Sequence, residues 1–130
     1  MTLDRILIVD DESSLLFLLE KYLQRVGYSV VACSTAADGW RHFQSAPADF
    51  ALAVIDYSLP DRNGDTLLKE LLGVRPELRA VLCSGYPVDI SGISPGSGQV
   101  EALQKPFTPR MLGDAIQRLL SARAVAAAAI

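Results

Sequence analysis

Cysteine and histidine are scarce in this chain. Cys33 and Cys83 are the only thiols among 130 residues, and they belong to no CxxC pair. With His42 as the single histidine, a structural zinc site lacks ligands. Two separated cysteines in apolar runs read instead as buried, reduced thiols. No apolar run approaches the roughly 20 residues of a bilayer span. A net charge of −3 without any Lys/Arg cluster removes the electrostatic case for nucleic acid. The N-terminal "MTLDRILIVDD" carries acids where a signal peptide has its apolar segment, so a cytoplasmic location is expected.

What is present is an ordinary globular composition, 50% hydrophobic and 21% charged, in a length that suits one domain. "RILIV" (Arg5 to Val9), "YSVVAC", "LAVI" (Leu52 to Ile55), "RAVLCS" (Arg79 to Ser84) and "VEALQ" (Val100 to Gln104) read as five strands. Between them, Leu15, Leu16, Leu19, Tyr22, Leu23 and Val26 recur with a helical period that Gly27 ends. Thr35 is a cap for a helix through about Gln44, with Ala37, Trp40 and Phe43 on its inner side. "SLPDRNG" is a loop of turn formers before a short helix from Asp65 to Leu72. Thr108 and Pro109 start a last helix with Leu112, Ala115, Ile116, Leu119 and Leu120 on one stripe, and "AVAAAAI" extends or frays it. Alternating strands and helices predict a flavodoxin-like, doubly wound, five-stranded parallel sheet in the order 2-1-3-4-5, with helices on both faces.

Such sheets bind ligands outside the carboxyl ends of their strands. Strand one ends in Asp10, Asp11 and Glu12, strand three in Asp56, strand four in Ser84, and strand five runs into Lys105. Clustered carboxylates repel one another unless a cation intervenes. An all-oxygen set without a nearby histidine favours a hard ion such as Mg2+ or Mn2+. A metal, a carboxylate, a lysine and a hydroxyl together suit phosphoryl transfer onto the carboxylate. Taken singly, each residue has a plainer reading. Asp10 and Asp11 suit a helix N-terminus, Asp56 a turn, Ser84 a satisfied hydroxyl and Lys105 a solvated charge. His42 reads as structural or solvated, and Asp61, Asp65 and Glu70 as loop and surface charges.

"ILIVDDE", "VIDYSLPDRNG", "VLCSGY" and "LQKPFTP", in that order and each at a strand end, resemble a response-regulator receiver domain of two-component signalling. The resemblance spans about Arg5 to Leu120, with 121–130 as an Ala-rich extension or frayed tail of a single domain 1–130. It implies that Asp56 is the phosphoacceptor, taking a phosphoryl group from a histidine kinase or histidine phosphotransfer domain in a Mg2+-dependent reaction. It implies that Asp11, Asp56 and the Ser58 backbone carbonyl hold the metal, with Asp10 acting through water. Ser84 and Lys105 would bind phosphoryl oxygens, and Ser58, Gly85 and Tyr86 would modulate the site. The Lys105–Pro106 peptide is the candidate for a cis bond. The resemblance implies a signalling phosphoacceptor rather than an enzyme, with no DNA-binding module after the last helix. A weak homodimer, and origin in a hybrid sensor kinase, stay open.

Two features depart from the family pattern. Ala102 stands three residues before the lysine, where the family usually carries a switching aromatic. "YPVDISGISPGSGQ" holds Pro87, Gly92, Pro95, Gly96 and Gly98, so the helix between strands four and five is expected to be short or irregular. These departures keep a pseudo-receiver binding module as one alternative. A haloacid-dehalogenase-type phosphatase is the other, although it needs an aspartate where Ser58 stands.

Overall fold

The computed structural model describes residues 3–93 and 98–128, and the side chains of 3–93 and 98–122. Five parallel strands, β1 (Arg5–Val9), β2 (Ser29–Cys33), β3 (Phe50–Asp56), β4 (Arg79–Ser84) and β5 (Val100–Gln104), form one sheet in the order β2-β1-β3-β4-β5. Helices α1 (Ser13–Arg25), α2 (Ala36–Ser45), α3 (Gly64–Val74) and α4 (Pro109–Ala128) cover it, with a 3-10 turn at Pro47–Asp49. The predicted architecture and strand order are those observed.

Strand alternation sorts the core into two layers. Leu7, Val9, Ala53 and Ile55 point to the α2 and α3 side, where they meet Phe43, Leu67, Leu68 and Leu71. Ile6, Ile8, Leu52 and Val54 point the other way, onto Leu19 and Leu23 of α1 and Leu112, Ala115 and Ile116 of α4. Every residue of β3 is buried, as a central parallel strand covered on both faces requires. Each fully buried Leu, Ile or Phe contributes about 1.5–3 kcal/mol of transfer free energy.

The helix ends follow local chemistry. The Thr35 side chain accepts the Asp38 amide, and Thr108 Oγ1 accepts the Met111 amide at 3.2 Å. Gly27, just past α1, has φ +108°, a left-handed conformation that favours glycine at a helix end. Two details differ from the sequence pattern. Ala37 is exposed, and α2 instead seats Ala36, Gly39 and Phe43. A Cβ on Gly39 would lie 2.7 Å from Val9 Cγ2, so the missing side chain lets α2 sit close on β1. Val26 is likewise exposed, because α1 ends at Arg25, before it could turn that residue inward.

Between β4 and β5 no helix forms among the described residues. One turn closes with Ile93 N–H donating to the Ile90 carbonyl, and Val88, Ile90 and Ile93 lie half-buried against the core in place of a helix. Pro95 and Gly96 lie outside the described residues. At the other end of the chain, α4 continues through the alanine-rich stretch to Ala128.

Candidate functional site

The strand order reverses between β1 and β3, and the carboxyl ends of those two strands carry the acids. Val9 pairs with Ile55 across the β1–β3 ladder, so Asp10 and Asp56 emerge side by side. Asp56 pairs with Cys83, and Ser84 with Gln104, which brings the next residue, Lys105, to the same rim. Backbone bonds fix this rim: Tyr57 N–H donates to the Cys83 carbonyl, and Lys105 N–H to the Ser84 carbonyl, both at 2.7 Å.

Asp10, Asp56 and Ser84 are buried polar groups, whereas Asp11 is exposed. One carboxylate oxygen from each of Asp10, Asp11 and Asp56 lies within 4.8 Å of the others. Lys105 Nζ sits 3.3 Å from Asp10 Oδ2 and 3.3 Å from Asp56 Oδ1. Burial raises the Asp56 pKa, and the Asp10 charge raises it further. Lys105 and the Ser58 amide oppose that rise without cancelling it. Lys105 is itself pulled down by burial, yet Asp10 and Asp56 outweigh this and hold its ammonium above the usual value. One cation thus serves two buried carboxylates with a third beside them. The excess negative charge and all-oxygen donor set fit a hard divalent ion.

The plainer reading of Asp10 and Asp11 as caps of α1 is not realised. Glu12 is the residue at the helix entrance and makes no side-chain cap. Asp10 Oδ1 accepts the Glu12 amide at 2.9 Å, and its other oxygen faces Lys105. Ser84 Oγ accepts the Tyr86 amide at 3.2 Å. Ser58 is exposed and pairs with Asn63 across the β3–α3 loop. Gly85 is exposed with open space where a Cβ would point, and Tyr86 is exposed too. The Lys105–Pro106 peptide is cis. His42 is exposed on α2, on a different element from this cluster.

Two residues matter more than their sequence context indicated. Asp61 reads as a surface charge in the sequence, but its two oxygens accept the Ala36 and Ala37 amides at 3.0 and 2.9 Å. It thereby ties the loop after Asp56 to the N-terminus of α2. Gly64 reads as a turn former. A Cβ there would lie 2.2 Å from the Asp56 carbonyl oxygen, so glycine lets α3 start against the backbone of the acidic site. Neither contact has a signature in local spacing, because both join segments that only the fold brings together.

Comparison with known proteins agrees with this geometry. The profile of the response regulator receiver domain matches residues 6–117. The chain is 33% identical over 118 residues to the transcriptional regulatory protein CssR of Bacillus subtilis, covering 88% of this chain and 50% of that protein. It is 28% identical to the response regulator receiver protein CpdR of Brucella abortus, covering 91% of this chain and 98% of CpdR. The crystal structure of a CheY-like receiver domain protein from Methanospirillum hungatei superposes with a TM-score of 0.81 at 29% identity, covering 92% and 95% of the two chains. The chain spans half of CssR and 26% of a matched NtrC from Azospirillum brasilense. This chain belongs to the response regulator receiver domain family of two-component signalling. Its fold is that of a signalling domain, and the dehalogenase-type alternative falls with that assignment.

Proposed function

We propose that this receiver domain, residues about 5–120, takes a phosphoryl group from a phosphohistidine donor onto Asp56 and signals by the conformational change that follows. The observation that carries the proposal is the placement of Asp56 at the buried strand end, 3.3 Å from Lys105 and grouped with Asp10 and Asp11. Asp56 attacks the phosphorus through a carboxylate oxygen, the P–N bond to the donor imidazole breaks, and the imidazole leaves with the bonding pair. The product is an aspartyl phosphate.

Lys105 neutralises a phosphoryl oxygen from the side of β5, and the Ser84 hydroxyl, free to donate, meets another. Asp11, Asp56 and the Ser58 carbonyl would hold a Mg2+ ion, with Asp10 acting through water. When bound, that ion supplies charge neutralisation at the transferring group. Asp10, already paired to Lys105, keeps the ammonium protonated and aimed at Asp56. The donor is a histidine kinase or a histidine phosphotransfer domain. The sensor kinase CckA of Brucella abortus, 26% identical over 88% of this chain, is among the relatives.

Intact mass after incubation with phosphoramidate tests the reading. It predicts one added phosphoryl group, present with Mg2+ and absent with EDTA or in Asp56→Asn. An adduct that survives Asp56→Asn overturns the assignment of the acceptor. No adduct and no beryllofluoride complex would make the chain a pseudo-receiver.

A further inference from the structure

Asn63 is the only asparagine in the chain, and a glycine follows it. That pair is open to deamidation, because no Cβ at Gly64 shields the backbone nitrogen that must attack. In the reaction the Gly64 nitrogen gives its proton to base and bonds to the side-chain carbonyl carbon of Asn63, and ammonia leaves. Water then opens the resulting succinimide at either carbonyl. One opening gives aspartate at position 63. The other gives isoaspartate, in which the main chain runs through the side-chain carbons and is longer by a methylene. The Asn63 side chain is free for this chemistry, being exposed and making no cap bond to α3.

The backbone around it is locked instead. Asn63 holds φ −69° and ψ 145°, an extended conformation at the entrance of α3. Closing the succinimide ring requires rotation about ψ, away from that value, to turn the Gly64 nitrogen onto the side-chain carbon. The Asn63 carbonyl and the Gly64 N–H share the peptide plane that would turn. That carbonyl accepts the Thr66 and Leu67 amides at 3.1 and 3.2 Å, and the Gly64 N–H donates to the Tyr57 carbonyl at 2.7 Å. Rotation therefore breaks three hydrogen bonds at once, and Gly64 is buried besides.

We propose that Asn63 is a spontaneous deamidation site that the fold keeps latched, and that isoaspartate formed there disables the acidic site. The extra methylene enters the main chain beside Gly64, where even a Cβ would meet the Asp56 carbonyl oxygen at 2.2 Å. The lengthened chain cannot keep both the Ser58–Asn63 bridge and the Gly64–Tyr57 bond. The Ser58 carbonyl then leaves the position from which it would hold Mg2+. This consequence rests on the proposed function, whereas the latch rests on the backbone geometry alone.

The full chain is incubated at pH 8, native and in urea, and followed by isotope-resolved mass and by peptide mapping for isoaspartate. Loss of the Asn63 amide is expected to be about tenfold slower or more in the native protein, because reaction waits for local opening. Asn63→Gln should gain no mass in either state. After refolding, the isoaspartyl fraction should bind Mg2+ and beryllofluoride on the order of tenfold more weakly than Asn63→Gln taken through the same cycle. Equal rates in native and denatured protein would refute the latch. An isoaspartyl fraction that binds as tightly as Asn63→Gln would refute the consequence for the site. If neither the fresh parent nor Asn63→Gln binds beryllofluoride, the acceptor assignment falls and the mass data still decide the latch.

Discussion

Replacing Gly64 by alanine probes how closely the acidic site is built against α3. The new Cβ would stand 2.2 Å from the Asp56 carbonyl oxygen, 2.8 Å from its carbon and 2.9 Å from Tyr57 Cα. All three are backbone atoms, so no side chain can rotate out of the way. The backbone they belong to is pinned on both sides. Tyr57 N–H donates to Cys83, and Gly64 N–H donates back to the Tyr57 carbonyl, each at 2.7 Å. To restore ordinary contact, α3 and the end of β3 must part by about 1 Å, breaking one of these bonds. Forced overpacking costs about 1–3 kcal/mol, and a lost backbone bond adds about 1 kcal/mol. The expected loss is therefore about 2–4 kcal/mol, or on the order of 10 °C in Tm for a domain of this size. Gly85→Ala, with open space around its Cβ, is the control and should stay within about 0.5 kcal/mol of the parent. Urea unfolding of the three proteins, with beryllofluoride affinity measured alongside, checks both stability and site geometry. A Gly64→Ala protein as stable as Gly85→Ala, with unchanged affinity, would refute the reasoning.

Three further outcomes follow from the same geometry. Because burial and Asp10 raise the Asp56 pKa, the fold favours its protonated form. Stability then falls as pH rises from the ordinary aspartate range through the raised value, and Asp56→Asn should remove that loss. In metal-free buffer the variant should be more stable than the parent at pH 7, with the gap closing toward pH 3, as thermal melts across pH would show. Asp61→Ala strips the carboxylate from the Ala36 and Ala37 amides, and should cost about 1 kcal/mol in urea unfolding while leaving Mg2+ binding in place. Burial pushes the Cys33 thiol up to about 11 and the Cys83 thiol up to about 12. A disulfide reagent at pH 8 should therefore label neither in the native protein and both in denaturant.

The sheet and its site were legible because they rest on signals that survive without tertiary context. The strands are short, largely apolar runs that end in or run into polar residues, and parallel strands present those ends at one rim. Asp10, Asp56 and Ser84 follow from that rule, and Lys105 comes to the same rim as the residue after the end of β5. The exact seating of the helices did not follow. Ala37 and Gly39 differ by two positions on α2, and which one faces β1 depends on Val9 needing the space that glycine leaves. Asp61 was beyond reach for a similar reason. Its partners lie 24 and 25 residues earlier in the chain, and an exposed aspartate in a turn reads the same whether or not a helix end waits for it. The irregular segment after Tyr86 was visible in its glycines and prolines. The half-buried Val88, Ile90 and Ile93 that let it stand in for a helix are visible only in the packing.

The central claim is that Asp56, among the three clustered carboxylates, is the one that carries the phosphoryl group. Borohydride reduction of the phosphorylated protein converts an aspartyl phosphate to homoserine, and peptide mass mapping then locates the change. The account predicts homoserine in place of Asp56 alone, with Asp10 and Asp11 intact. Reduction at Asp10 or Asp11, or a phosphorylated protein with Asp56 unmodified, would contradict it.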